Sequence, residues 1–545
     1  VLQNSFGQTT HYVSTTGSDA NAGTQASPFA TNAHAASVAV AGDSIIVGSG
    51  TFIETVPIVL SGVVWKGAGK DVTVIKSHYV TDWNANNPST ASVSMVSSSQ
   101  GSTGHNKISD LTLDGDNHVG TVGILIKRQG YDTIQDCNIK GFFINGITLI
   151  GADDPYTKPT TYSVGNFFQR VLIDDCTDTA ETYHGGGLIN YAGQKDFHVW
   201  DSRFVDTSRA EGRNGDIVVG NKYSIGTQFL RDTSYKPSTN NAGWNFHYET
   251  PAEAGGFDLD SCLMYGGDYA LDIGGNVTHD LSYTYTYHVH NCTFDDSRGY
   301  QYSGTYGKYA IQIEGPAVEN VLVENNVFKN IVHFFSINDG GGAYSATVSN
   351  VVFRNNVGIG MGQYSSSYYG NLIEVTKTNS GGWIKGLSII NNTAVPNSLA
   401  HVTFAGVTNS SGCTINNMKV GNNIFENGTN GYWMTVSNSG TFDTLEARNN
   451  LLYNNDANTI QFTGNTVTHQ TFTGTITTNP LLNSDGSLQA GSPAIGAAYP
   501  YGYGSDIGAL QYTTIAPPTI SVSGNQTITV SNTSVSAVGT PASGQ

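Results

Sequence analysis

The chain has 545 residues, 65 of them Gly and only 12% charged, with a net charge of −18. So acidic a chain repels nucleic acid and anionic membrane surfaces, and no apolar run is long enough to span a bilayer. Nucleic-acid binding and membrane insertion therefore leave the list of function classes. Scarce Lys, Glu and Arg beside abundant Asn, Thr, Ser and β-branched residues make an all-β profile. Five Cys are too few for a disulfide scaffold, and the odd number leaves at least one unpaired. A strongly acidic surface is also a poor general match for an anionic polymer, except where a local basic patch offers a landing site.

Residues 1–9 read as a tail. Val1 opens neither the basic start nor the long apolar stretch of a signal peptide, so a mature or trimmed chain is expected. Residues 10–60 read as an N-terminal cap and first coils. Between HYVSTTGSDANAGTQASPFAT (from His11) and AGDSIIVGSGTF (from Ala41), the Ala-rich segment from Thr31 to Val40 predicts a short capping helix.

Residues 61–478 form the body, and from about residue 108 to 465 one pattern recurs. An apolar-alternating stretch leads into a pair of Asn-like residues, then an apolar residue, a Gly and a second alternating stretch. VLVENNVF (from Val321), VVFRNNVG (Val351), LSIINNTA (Leu387), MKVGNNIF (Met418) and LEARNNLL (Leu445) are the clearest copies. Cys137, Cys176, Ser202, Cys262 and Cys292 fill the slot held later by Asn326, Asn356, Asn392, Asn423 and Asn450. Copies stand 26 to 39 residues apart, except for a gap of 60 between Ser202 and Cys262 that fits two coils, the hidden one near Arg231.

Repeats of this size with two or three short strands predict a single-stranded right-handed parallel β-helix, a solenoid whose identical positions stack. An inward Asn then bonds to the Asn above and below, which satisfies amides costly to bury. Cys in that slot reads as a small buried hydrophobe; disulfides between neighbouring coils or a metal site are the alternatives.

The N-terminal motifs resemble the cap of secreted β-helix carbohydrate-active enzymes, the pectate-lyase-like group that includes glycoside hydrolases and polysaccharide lyases. NPLLNSDGSLQAGSPAIGAAYPYGYGSDIGALQY, over residues 479–512, resembles the closing coil of the same group. The resemblance covers nearly all of residues 10–512 and implies a secreted or cell-surface protein whose partner is a polysaccharide or oligosaccharide. It does not imply one reaction, because many chemistries share the scaffold. Residues 513–545 hold the linker TTIAPPT and then ISVSGNQTITVSNTSVSAVGT, which resembles the first strands of an Ig-like or PKD-type module. So short a segment cannot close a β-sandwich, so further C-terminal modules are expected; a strap packed along the β-helix is the alternative.

Aligning the second stretch on its inward pairs (Ile189/Tyr191, Ile217/Val219, Phe246/Tyr248, Leu271/Ile273, Ile311/Ile313, Phe335/Ile337, Ile373/Val375) leaves outward columns between them. One reads Asn190, Val218, His247, Asp272, Gln312, Ser336, Glu374; the next contains Glu249, Glu314 and Asn338, with Asp216 outward before Ile217. Asp216, Glu249, Asp272 and Glu314 are thus the candidate catalytic carboxylates. Neighbouring pairs would be about 8 Å apart at Cα, and glycoside hydrolysis uses carboxyls about 5–9.5 Å apart. His247, Trp244, Gln312, Asn190, Asn338, Tyr285 and Tyr306 are the candidate sugar contacts, with Trp244 the first choice of stacking platform. Asp258 and Asp260 should face outward from a different sheet, and Asp174 and Asp201 fall at the Asn turn.

A glycoside hydrolase acting on a neutral or weakly charged glycan is the leading expectation, and it requires no cofactor. A polysaccharide lyase is second, with Ca²⁺ in the acidic cluster and Lys222, Arg209 or Arg213 as base. Third is a non-catalytic glycan-binding adhesin or spike. No zinc-ligand spacing, nucleophile elbow or phosphate loop is read in the sequence.

Overall fold

Each Asn-like pair makes a corner. Its first member lies in the left-handed region, as at Asn325 (φ 56°), Asn355 (φ 53°) and Asn391 (φ 55°), which Asn and Asp tolerate better than branched residues. The chain thereby bends between two short strands: Phe257–Asp260 and Leu263–Gly266 flank one corner, Tyr287–His290 and Thr293–Asp295 the next.

In this computed structural model the described residues are 8–78, 94–98, 104–117, 122–142, 145–151, 158–176, 187–205, 216–220, 223–236, 244–248, 253–266, 269–276, 278–279, 282–295, 309–331, 333–338, 347–361, 370–377, 379–396, 402–428 and 432–513. Strands stack in parallel, coil above coil, in three main ladders. The first holds the strand before each corner (Phe257–Asp260 on Tyr287–His290). The second, after the corner, is a 14-stranded sheet. The third carries the second alternating stretch (Trp244–Tyr248 on Tyr269–Asn276). The first and third merge into one 30-stranded sheet, because strands such as Tyr309–Glu324 pair in both. The chain is a parallel β-helix, and such crossovers wind right-handed in nearly all cases. One continuous apolar column fills the centre, from Val13 through Phe229 and Phe353 to Val436.

The inward slot forms the expected ladder. Nδ2 of Asn326, Asn356, Asn392 and Asn423 donates in turn to Oδ1 of Asn356, Asn392, Asn423 and Asn450, at 3.0–3.1 Å. Asp232 occupies the slot of the hidden coil: its Oδ1 accepts from the Ser202 N–H at 2.6 Å, and its own N–H faces Cys262 Sγ at 3.4 Å. None of the five Cys forms a disulfide and all are buried, with burial pushing the Cys137 thiol up to about 12. Cys137, Cys176, Cys262 and Cys292, the four in the Asn slot, are buried as the small-hydrophobe reading expects.

Another row of buried hydrogen bonds runs at a different corner, through Asn106, Asp132, Asn166 and Gln194. Burial raises the Asp132 carboxyl to about 6, even though hydrogen bonds from Asn106 pull it down. Its folded pKa stands above the ordinary value of 3.8, so its contribution to stability is fullest below that value and is lost as pH rises through about 6. Asp132→Asn keeps the acceptor for Asn106 and adds a donor toward Asn166 Oδ1. The variant is expected to be more stable near pH 7 by at most about 3 kcal/mol. Thermal melts should show that gain shrinking toward about pH 4; a gain independent of pH would contradict this account.

The helix Asn32–Val38, capped by Thr31, covers the N-terminal end of the core. Buried Asn32 anchors it, its N–H and Nδ2 donating to Glu54 Oε1 at 2.8 and 2.9 Å and its Oδ1 accepting from Trp65 Nε1. At the other end, from Leu482 to Tyr512, the chain adds no strand to the three ladders. It packs back along the second ladder, where Leu488, Ala494 and Ile507 cover Ile424 and Leu451, and Asn391 Nδ2 donates to the Asp506 carbonyl. None of the described helices is long and apolar enough to cross a membrane. Residues 514–545, with most of the expected Ig- or PKD-like segment, lie outside the described residues.

Candidate active site

Strand pairing on the third ladder places His247 beside Asp272, Asp272 beside Gln312, Gln312 beside Ser336 and Ser336 beside Glu374. The neighbouring column holds Gly274, Glu314, Asn338 and Thr376. Five consecutive coils therefore present one polar stripe, in the register expected from the inward pairs.

One coil departs from that register. Ile189 pairs with Val218, and Val218 with Phe246, so the positions in register with the inward pairs are Val218 and Gly220 rather than Ile217 and Val219, although Ile217 is buried too. Val219, not Val218, continues the column of Asn190 and His247. Asp216 then shares the parity of Val218 and pairs with Gly187, which takes it off the stripe. A run of three apolar residues, Ile217–Val218–Val219, has no alternation to mark its parity, and a slip of one residue exchanges the faces.

The middle of the stripe is also not an open surface. His247 and Gln312 are each 5% exposed and Asp272 is 3% exposed, while Glu314, Asn338 and Glu374 are half-buried. His247 Nε2 lies 3.7 Å from Asp272 Oδ2. Gln312 Nε2 donates to Glu314 Oε2 at 2.5 Å, and Thr376 Oγ1 donates to Glu374 Oε1 at 2.9 Å. Buried polar groups in such a row are held by one another, giving a preorganised acidic centre. Glu249 and Tyr306 lie outside the described residues, as do Lys222, Arg209 and Arg213. Trp244 opens the His247 strand and pairs with Tyr269.

Tyr285 belongs elsewhere. Its ring lies 5.3 Å from that of His288 on the first ladder, whereas Tyr287 is fully buried in the core. Tyr235 stacks on Tyr265 at 5.1 Å, each borne by a strand of the second ladder.

The first ladder carries a polar cluster in which only the aspartates were anticipated. Asp258 pairs with His288 and Asp260 with His290, and His290 pairs in turn with Glu324. Asp258 Oδ1 lies 2.9 Å from His290 Nε2 and 3.5 Å from His288 Nδ1. Burial opposes ionisation of Asp258, but hydrogen bonds from His290 and Gln228 hold its carboxyl below the ordinary range. Burial, then the neighbouring His290, pushes His288 down. For His290 burial is outweighed by Asp258, and the net shift is upward. Glu324 is lowered, with bonds from Arg354 and His288 overcoming desolvation. The signal was present as FDLD and YHVH one coil apart. At the Asn turn, Asp201 forms a bidentate pair with Arg231 at 2.6 and 3.0 Å, a surface clasp between coils.

No protein-family model matches the chain, and no curated protein matches it. Among solved structures, the chain is 16% identical to the catalytic domain of a GH87 alpha-1,3-glucanase variant in complex with nigerose. That match covers 68% of this chain and 64% of the other, with a TM-score of 0.44. A variant of such a domain in complex with tetrasaccharides gives 16% identity, the same coverages and a TM-score of 0.43. The A-module of an Azotobacter vinelandii mannuronan C-5 epimerase gives 14% identity, covers 82% of this chain and 93% of that one, and has a TM-score of 0.29. The chain thus spans under two thirds of the length of those glucanase domains. At such TM-scores the likenesses carry no inference about activity, and the β-helix stands on the strand register of this chain itself.

Proposed function

We propose that the protein is an extracellular glycoside hydrolase that cleaves a neutral or weakly charged polysaccharide along the third-ladder stripe. The observation that carries this reading is the stacking of His247, Asp272 and Gln312 in successive coils, with Glu314 two residues beyond Gln312. Asp272 and Glu314 sit one strand spacing and two residues apart, about 8 Å at Cα, a separation open to paired-carboxyl hydrolysis. One carboxyl protonates the glycosidic oxygen as its bond to the anomeric carbon breaks. The other takes a proton from water, whose oxygen joins that carbon. His247 and Gln312 orient the two carboxyls, and Asn338 and Glu374 extend the subsite row.

The test is product analysis over a panel of neutral, acidic and amino-sugar polysaccharides. New reducing ends without ultraviolet absorbance from an unsaturated sugar are expected. Products carrying that absorbance would replace hydrolysis by β-elimination, and binding without any cleavage would identify an adhesin.

A further inference from the structure

The first-ladder cluster lies on a different sheet face from the Asp272 stripe, and nothing in the hydrolase reading uses it. Among the described residues, Asp258, His288 and His290 are the one group of three or more His, Cys, Asp or Glu whose donor atoms all fall within 4.8 Å of one another. The strand supplies this convergence: His288 and His290 alternate on one strand and so share a face, with Asp258 directly beneath His288 on the preceding coil. From these contacts we infer that Asp258, His288 and His290 form a binding site for a divalent transition-metal ion of the zinc class.

The spacing fits such an ion. Zn²⁺ holds nitrogen and oxygen at about 2.0–2.2 Å in a tetrahedron, which sets donor atoms about 3.3 Å apart. Asp258 Oδ1 stands 2.9 Å from His290 Nε2 and 3.5 Å from His288 Nδ1. Two imidazoles and one carboxylate are a donor set that favours zinc over calcium, which prefers a cage of oxygens. Side-chain exposures of 17–28% leave the trio within reach of a solvent ion.

For His288 and Asp258 the surroundings are those of a prepared metal ligand set, in which the ligand's remote atom is held by a partner. His288 Nε2 lies 3.1 Å from Glu324 Oε1, and Glu324 is fixed in turn by Arg354 at 2.6–2.7 Å. Donation from Nε2 to Glu324 leaves Nδ1 as the free donor atom, 3.5 Å from the Asp258 oxygen. The two imidazoles stack with centroids 3.9 Å apart and planes 9° from parallel, so a ring must turn for both nitrogens to meet one ion. His290 Nδ1 lies 2.9 Å from Asn291 Nδ2, which also donates to Asp260 Oδ1 at 2.9 Å. Gln228 Nε2 donates to the second Asp258 oxygen at 2.9 Å, and Trp200 Nε1 donates to Gln228 Oε1 at 2.9 Å. Three protein ligands leave a fourth position for water or a sugar hydroxyl. The ion would also tie the coil of Asp258 to that of the histidines.

The test is calorimetric titration of the chelator-treated full chain with Zn²⁺ alone, with Co²⁺ as a spectroscopic probe. One equivalent bound at micromolar concentration or tighter is expected, with visible Co²⁺ bands of a four-coordinate N/O site and a rise of several degrees in the thermal midpoint. The double variant His288→Ala/His290→Ala should lose that equivalent and the midpoint shift. Glu324→Gln, which leaves the three ligands in place, should weaken binding roughly 10–100-fold. Retention of the equivalent in the double variant, wild-type affinity in Glu324→Gln, or displacement of Zn²⁺ by equimolar Ca²⁺ would each overturn the assignment.

Discussion

Asp272→Asn lowers glycan turnover by about 10²–10⁴-fold while leaving the fold and substrate binding in place; this is the result expected for a proton-transferring carboxyl. The substitution is nearly isosteric and keeps an oxygen near His247 Nε2, now 3.7 Å from Asp272 Oδ2, so packing changes little. What it removes is the ability to give or take a proton. Glu314→Gln should lose activity on a similar scale, and its Gln312 contact, 2.5 Å in the wild type, can re-form with the amide oxygen. Rates on the responsive polysaccharide, with binding measured separately, decide the matter. Wild-type turnover in Asp272→Asn would move the chemistry off this stripe. Unchanged binding in a chain that never cleaved would point to an adhesin.

The largest stability effect is expected at the Asn ladder. Asn392 is fully buried. Its Oδ1 accepts from the N–H and Nδ2 of Asn356 at 3.0 and 3.1 Å, and its Nδ2 donates to Asn423 Oδ1 and the Phe353 carbonyl at 3.0 Å. Asn392→Leu keeps the volume but strands those buried groups in two neighbouring coils. An unsatisfied buried group costs about 1–3 kcal/mol, so a loss on the order of 3–5 kcal/mol is expected. Asn392→Cys should cost less, since this protein already uses a thiol there: the Cys262 N–H reaches Cys292 Sγ at 3.4 Å. Because a solenoid can open locally, hydrogen exchange around residues 350–425 is the better measure, with thermal melting beside it. Equal behaviour of the Leu and Cys variants would refute the hydrogen-bond account.

The architecture was legible because it is written many times over. A period-two alternation around each Asn slot repeats through the body, so an error in one coil is corrected by its neighbours. The hidden coil near Arg231 could be located by gap length alone, and Asp232 fills its slot. The stripe from His247 to Glu374 followed from the same redundancy. Tyr285 did not: sequence proximity to the third-ladder strands suggested the stripe, but it precedes a first-ladder strand and lies over His288.

The sequence by itself determined the solenoid, the Asn ladder, the capping helix and the ladder that bears the acidic stripe, because each depends on local periodicity or a stacked repeat. Three things awaited the tertiary structure. The parity of Asp216 was undefined within the apolar run that follows it, and only the pairing of Asp216 with Gly187 and of Val218 with Phe246 resolved it. The burial of His247 and Asp272 depends on what packs over the strand, which alternation does not encode. The meeting of Asp258 with His288 and His290 joins residues 30 and 32 positions apart, and no local motif spacing exists for it. One coil of chain brings those donors within hydrogen-bond distance, and the length of that coil is a property of the fold.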